Sequence, residues 1–174
     1  MHTLIALFRG INVGGHHKLP MKDLVCILES LGYSDVQTYI QSGNVVFESP
    51  SPQGEQSADE ISDAVEAKFG FRPNVLLLGK QQFEDAVARN PFPTAQGKFL
   101  HFFFLERSPE SPDLETLRGI KTASEQFKLV DSLFYLYTPD GFGRSKLAEK
   151  VERCLGVAVT ARNFNTVNAI LNLL

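Results

Sequence analysis

The sequence predicts an α+β fold: two tandem ferredoxin-like βαββαβ units, each with an added C-terminal helix, over residues 1–90 and 91–174. Three observations predict it. Short apolar runs of strand length alternate with stretches of helical spacing; turn residues separate two adjacent runs in each half; and the order strand, helix, hairpin, helix, strand occurs twice. Identity between the halves is negligible, so the repeat rests on element order alone.

In the first half, Thr3 to Arg9 reads as a strand that Gly10 ends. Leu24, Ile27, Leu28 and Leu31 have helical spacing, with Pro20 suited to the first turn and Gly32 to the stop. The runs Val36 to Gln41 and Val45 to Glu48 flank Ser42-Gly43-Asn44, where Gly and Asn tolerate the positive φ of a tight hairpin. Ser49 to Ser57, SPSPQGEQS, reads as an exposed polar loop. A helix over Ala58 to Phe69 buries Ile61, Val65 and Phe69, and Pro73 to Leu78 makes the fourth strand. Gln81 to Arg89 is a trailing helix stopped at Asn90-Pro91. The second half repeats the order: strand Phe99 to Leu105, helix Asp113 to Lys121, a hairpin of Lys128 to Val130 and Leu133 to Tyr137 around Asp131-Ser132, helix Ser145 to Leu155, strand Val157 to Thr160, and helix Thr166 to Leu173.

A chain of 174 residues, 43% of them hydrophobic, can bury an ordinary core without staples. Cys26 and Cys154 each sit in an apolar helical pattern, which predicts buried, reduced thiols rather than a disulfide or a zinc site. The opening run TLIALF is cut off by Arg9 far short of a membrane span and carries no cleavage-site pattern, so a cytoplasmic protein without membrane attachment is expected. The net charge of -3 disfavours whole-surface attraction to nucleic acid but leaves room for a local basic patch.

The loop RGINVGGHHK, Arg9 to Lys18, lies between a strand and a helix, where phosphate loops occur. Gly10, Gly14 and Gly15 let backbone N–H groups approach an anion. Neither the Walker A ending nor the G-x-G-x-x-G spacing is present, which disfavours a standard nucleotide site. His16 and His17 point opposite ways in extended chain, so they read as solvated side chains and no metal is expected. Two further basic loops precede helices. In GFGRSK, Ser145 is a candidate N-cap between Arg144 and Lys146; in TARNFNT, Arg162 and Asn163 precede the last helix. Cations at a helix start are unfavourable unless screened or facing an anion, and Lys18 precedes the first helix in the same way. The cluster Phe99, Phe102, Phe103 and Phe104 reads as a buried strand rather than a base-stacking platform. No Ser-His-Asp set or nucleophile elbow is present, so neither a catalytic residue nor a cofactor is assigned.

The stretches RGINVGG, TYIQSGNVVF, NPF, GRSK and TARNFNTV, taken in order, resemble the signature of a bacterial family, domain of unknown function 1697. The resemblance implies a compact cytoplasmic α+β protein and no established activity. It carries over Arg9, Gly10, Asn12, Gly14, Gly15, Gln41, Ser42, Gly43, Asn44, Lys146, Thr160, Arg162, Asn163 and Thr166 as motif residues. Phe164 stands where the family often has Trp, so a role needing an indole N–H does not carry over.

The expected function is binding of a small phosphorylated or otherwise anionic ligand. Its expected contacts are Arg9, Gly10, Asn12, Gly14, Gly15, Lys18, Gln41, Ser42, Asn44, Arg144, Lys146, Arg162 and Asn163. The alternatives are a nucleic-acid-binding module and a scaffold or oligomerisation protein without a small ligand. Arg9 and the Gly10 to Gly15 backbone are expected to line one concave site with the hairpin tip Gln41 to Asn44, or with Arg162 and Asn163.

Overall fold

The computed structural model describes residues 1–52 and 55–174. The chain runs β1 (His2–Arg9), α1 (Met21–Ser30), β2 (Ser34–Tyr39), β3 (Asn44–Ser49), α2 (Glu55–Phe69), β4 (Asn74–Gly79) and α3 (Lys80–Ala88). It continues with β5 (Leu100–Leu105), α4 (Leu114–Ile120), β6 (Gln126–Val130), β7 (Leu133–Tyr137), α5 (Lys146–Leu155), β8 (Val159–Asn163) and α6 (Phe164–Leu171). The strands form two four-stranded sheets, ordered β2-β3-β1-β4 and β6-β7-β5-β8, with every pairing antiparallel. The chain divides into two compact units: Met1–Val87 with Ala169–Leu174, and Ala88–Asn168.

Apolar patterning explains the layers. In the first unit the alternate residues Leu4, Ala6 and Phe8 of β1 join Leu24 and Leu28 of α1 and Ile61 and Val65 of α2 in one core. In the second, Phe103 and Leu105 of β5 meet Leu117 of α4 and Leu147 and Val151 of α5. Each fully buried Leu or Phe contributes about 2 kcal/mol, and both clusters hold several of them. The central strands are buried on both faces: Leu4 to Phe8 of β1 and all of β5 are buried, with His101 the polar exception in β5. No helix among the described residues is long and apolar enough to cross a membrane.

Several sequence expectations are corrected. Cys26 is exposed, because Leu24, Ile27 and Leu28 define the inward stripe of α1 and position 26 falls outside it; Cys154 is buried as expected. Ser49 is buried at the end of β3, its hydroxyl donating to Ser51 O at 2.7 Å, whereas Pro50 to Pro52 are exposed. Helix α2 begins at Glu55 rather than Ala58, so the expected loop is shorter; Gln53 and Gly54 lie outside the described residues. Asn44 pairs with Tyr39 and opens β3, which makes the hairpin tip the four residues Ile40 to Gly43. Pro20 occupies the N-cap position of α1 rather than its first turn. Strand β8 runs to Asn163 and α6 starts at Phe164, so Arg162 is a strand residue, not a loop residue.

Candidate functional site

Asn12 to His17 make a miniature hairpin inside the β1 to α1 connection. Asn12 N–H donates to His17 O and His16 N–H to Val13 O, both at 3.0 Å. Gly14 and Gly15 form its centre at φ 58° and 78°, the signs of a type I′ turn, which L side chains other than Asn and Asp resist. The turn angle, rather than crowding, accounts for glycine here. An added Cβ would meet only His16 Cδ2 at 3.9 Å at Gly14 and nothing within 4 Å at Gly15. Both residues are exposed, and among the described residues their N–H groups have no protein acceptor. His17 is not simply solvated. Its ring stacks on Phe71 at 4.6 Å, and its Nδ1 lies 3.0 Å from Gly10 O.

Asn12 fastens this loop to the β2–β3 hairpin. Its Nδ2 donates to Leu19 O at 2.9 Å and to Gln41 O at 2.7 Å, while its Oδ1 accepts from Leu19 N–H at 2.8 Å. Its φ of 54° suits Asn, which tolerates the left-handed region better than most side chains. On the other side of the joint, buried Asn44 donates from Nδ2 to Tyr39 O and to Ser42 Oγ, and Phe8 N–H donates to Gly43 O at 2.8 Å. Gly43 is required by both angle and space: φ is 79°, and a Cβ would lie 2.6 Å from Ile11 Cδ1 and from Phe8 Cβ. The side chains of Gln41 and Ser42 are exposed at the tip, Lys18 is exposed, and Arg9 is half-buried opposite Asn74 of β4. Ile40 has φ 50° with half its surface exposed, a strained setting for a β-branched residue that packing does not reward. Neither residues 9–20 nor residues 40–44 contain an Asp or Glu.

The remaining expected site residues lie in the second unit. Arg144 ends a short 3₁₀ turn, Phe142–Arg144, and Lys146 opens α5; both are exposed. Buried Ser145 between them caps α5 by accepting from Ala148 N–H at 3.0 Å. Arg162 stands opposite Phe102, and its Nη1 donates to Ala161 O at 2.9 Å. Burial pushes its pKa down to about 10, which leaves it cationic at neutral pH. Asn163 caps α6 through Oδ1, which accepts from Thr166 N–H at 3.0 Å. His101 lies on a strand, as its place between Phe99 and Leu105 predicts, but the sequence assigned it no role. It pairs with Asn163 across the β5–β8 ladder, its ring stacks on Phe142 at 3.7 Å, and among the described residues its buried Nδ1 has no hydrogen-bond partner. Desolvation by burial pushes it down to about 4, so the imidazole is neutral at physiological pH. The available signal was the strand period: in LHFFFL, position 101 shares the helix-facing side with Phe103 and Leu105.

Among the described residues no cluster of three or more His, Cys, Asp or Glu is placed to hold a metal ion. Fold and loops thus define a two-unit α+β protein whose first unit carries a fastened, acid-free pair of loops. The chain belongs to the family described as Protein of unknown function (DUF1697), whose model matches residues 1–135. That stretch contains Arg9 to Lys18 and Gln41 to Asn44 and stops before Arg144, Lys146, Arg162 and Asn163. The conserved bacterial protein SP0830 from Streptococcus pneumoniae is similar in fold, with a TM-score of 0.73 at 23% identity, over 99% of this chain and 98% of that one. No curated protein matches the chain.

Proposed function

We propose that the protein binds a small phosphorylated or otherwise anionic ligand at the end of the first sheet, on the Gly10 to Pro20 loop and the Ile40 to Gly43 tip. One observation carries the reading: the Asn12 side chain holds the two loops together through Leu19 and Gln41, at 2.7 to 2.9 Å. It does so in a segment that has cations and no carboxylate, in a chain whose net charge is -3. Lys18 and Arg9 supply charge, the outward N–H groups of Gly14 and Gly15 supply donors, and Gln41 and Ser42 supply polar contacts. The reading rests on the first unit alone. It also takes each half as a ferredoxin-like unit in a tandem pair, supported by the shared βαββαβ order and the matching strand orders.

A thermal-shift screen of nucleotides and sugar phosphates, followed by calorimetry, tests it. The expected result is stabilisation by one anionic compound, with binding weakened about tenfold or more by Lys18→Ala, the loss of one charge-assisted contact. Salt-sensitive oligonucleotide binding without small-ligand stabilisation would overturn the reading in favour of a nucleic-acid module. Base stacking on β5 has no support, since every residue of that strand is buried.

A further inference from the structure

We propose that the open edge of β6 accepts an acidic, extended peptide as a fifth strand of the second sheet. The edge is legible from the hydrogen bonds of its neighbours. Leu105 N–H donates to Ser132 O and Thr138 N–H to Phe99 O, so the alternate residues Phe134 and Leu136 of β7 turn toward β5, and Leu133, Tyr135 and Tyr137 turn toward β6. Their partners on β6 are Val130, Lys128 and Gln126. The backbone groups of Phe127 and Leu129 therefore point outward, giving two N–H and two C=O groups in the spacing an incoming strand pairs with.

The edge opens into a groove of about 460 Å³, lined by the edge strand, by Leu114, Arg118 and Lys121 on the α4 side, and by Phe92 and Glu125. Its floor is apolar and its rim is cationic. Arg118 and Lys128 are exposed and, among the described residues, neither is paired with a carboxylate. Glu125, the one anion lining the groove among the described residues, already accepts from Thr122 N–H through Oε2 at 2.9 Å. Side chains of an added strand alternate between the two faces. One set meets Arg118 beside Leu114, and the other meets Lys128, so carboxylates on both faces match the rim.

The other hairpin edge differs. On β2 the register shifts between Ser34 and Gln37, with Asp35 at φ 50°, a bulge that spoils an edge for pairing. On β6 the ladder is uninterrupted from Gln126 to Val130. An edge lysine such as Lys128 also discourages self-pairing between copies, which is compatible with admitting an acidic partner and rejecting a second, equally basic edge.

The test is selection of a random displayed decapeptide library on the full chain, then fluorescence anisotropy of the enriched peptide and hydrogen exchange of the complex. The expected result is enrichment of Asp- and Glu-rich sequences, a loss of affinity of tenfold or more in the double variant Arg118→Glu, Lys128→Glu, and new protection at the Phe127 and Leu129 amides. A circular dichroism melt of that variant checks that it folds, and single Lys128→Glu, on an exposed strand position, serves if the double variant does not. The proposal is overturned by enrichment of neutral or basic peptides, by no enrichment, by binding that leaves those two amides unprotected, or by an oligonucleotide that binds the groove where acidic peptides do not.

Discussion

The two units share an element order and a strand order, and their corresponding loops differ in kind. Between β1 and α1 the chain reads GINVGGHHKLP, with three glycines, one lysine, two histidines and no acid; between β5 and α4 it reads ERSPESPD, with two prolines and three acids against one arginine. The first hairpin has a four-residue tip wedged against Ile11 and Phe8; the second turns in two residues, Asp131-Ser132, with Asp131 at φ 53°. A sheet of this topology is thus satisfied by a plain connection and a minimal turn. The glycine loop, the Asn12 fastening and the strained Ile40 of the first unit are additions that the fold does not require, and they are the features on which the proposed anion site rests.

That contrast can be broken by experiment. The largest effect is expected from Gly43→Ala, which combines a disfavoured φ with overlap at two side-chain atoms and should cost about 4 kcal/mol in urea denaturation. Ser132→Gly in the minimal turn of the second unit should stay within about 0.5 kcal/mol. Equal effects would show that the first hairpin is no more constrained than the second.

Next comes acid sensitivity in the second unit. Folding keeps His101 neutral, with its pKa down at about 4 against 6.5 unfolded, so the unfolded chain binds the extra proton first. Its contribution is fully present above pH 6.5 and is lost as the pH falls toward 4, by up to about 3 kcal/mol. His101→Leu should remove that part of the acid limb in denaturation measured from pH 7 to pH 4; an unchanged slope would rule out a neutral, buried imidazole.

Asn12→Ala should cost about 2 kcal/mol, since it leaves Leu19 N–H and the Leu19 and Gln41 carbonyls without their partner. Hydrogen exchange at Leu19 should accelerate in the same variant, and unchanged protection there would deny the fastening. The smallest stability change belongs to Gly14→Asn, within about 0.5 kcal/mol, because Asn-Gly suits a type I′ turn. This variant separates two roles for the glycine. If anion binding needs close backbone approach, affinity for the compound found in the screen falls while the melting temperature holds; if the turn alone matters, both hold.

Periodicity made the element order readable. The strand runs, the helical stripes through Leu24, Ile27 and Leu28 and through Leu147 and Val151, and the Ser145 cap were all visible, since each depends on neighbours in the chain. Boundaries set by pairing were not. Asn44 belongs to β3 because Tyr39 lies opposite it, and Arg162 belongs to β8 because Phe102 does. Cys26 misled for a related reason: a helical apolar pattern fixes a stripe but not its edges, and only the packing of Leu24 and Leu28 shows where the stripe ends.

By itself the sequence determined the α+β class and the alternation of elements, because these follow from torsional preference and from burying one face of each element. The positive φ it assigned to Gly43 holds, and the one it assigned to Asn44 falls instead on Ile40, since Asn44 pairs with Tyr39 in β3. Tertiary structure alone decided that Asn12 reaches Gln41, 29 residues away, that Gly43 has no room for a Cβ, and that the His101 ring stacks on Phe142 with its Nδ1 unpartnered among the described residues. Each of these depends on which atoms a folded chain brings within a few ångströms. That proximity depends on strand register and on the packing of whole elements, and no local pattern in the sequence encodes it.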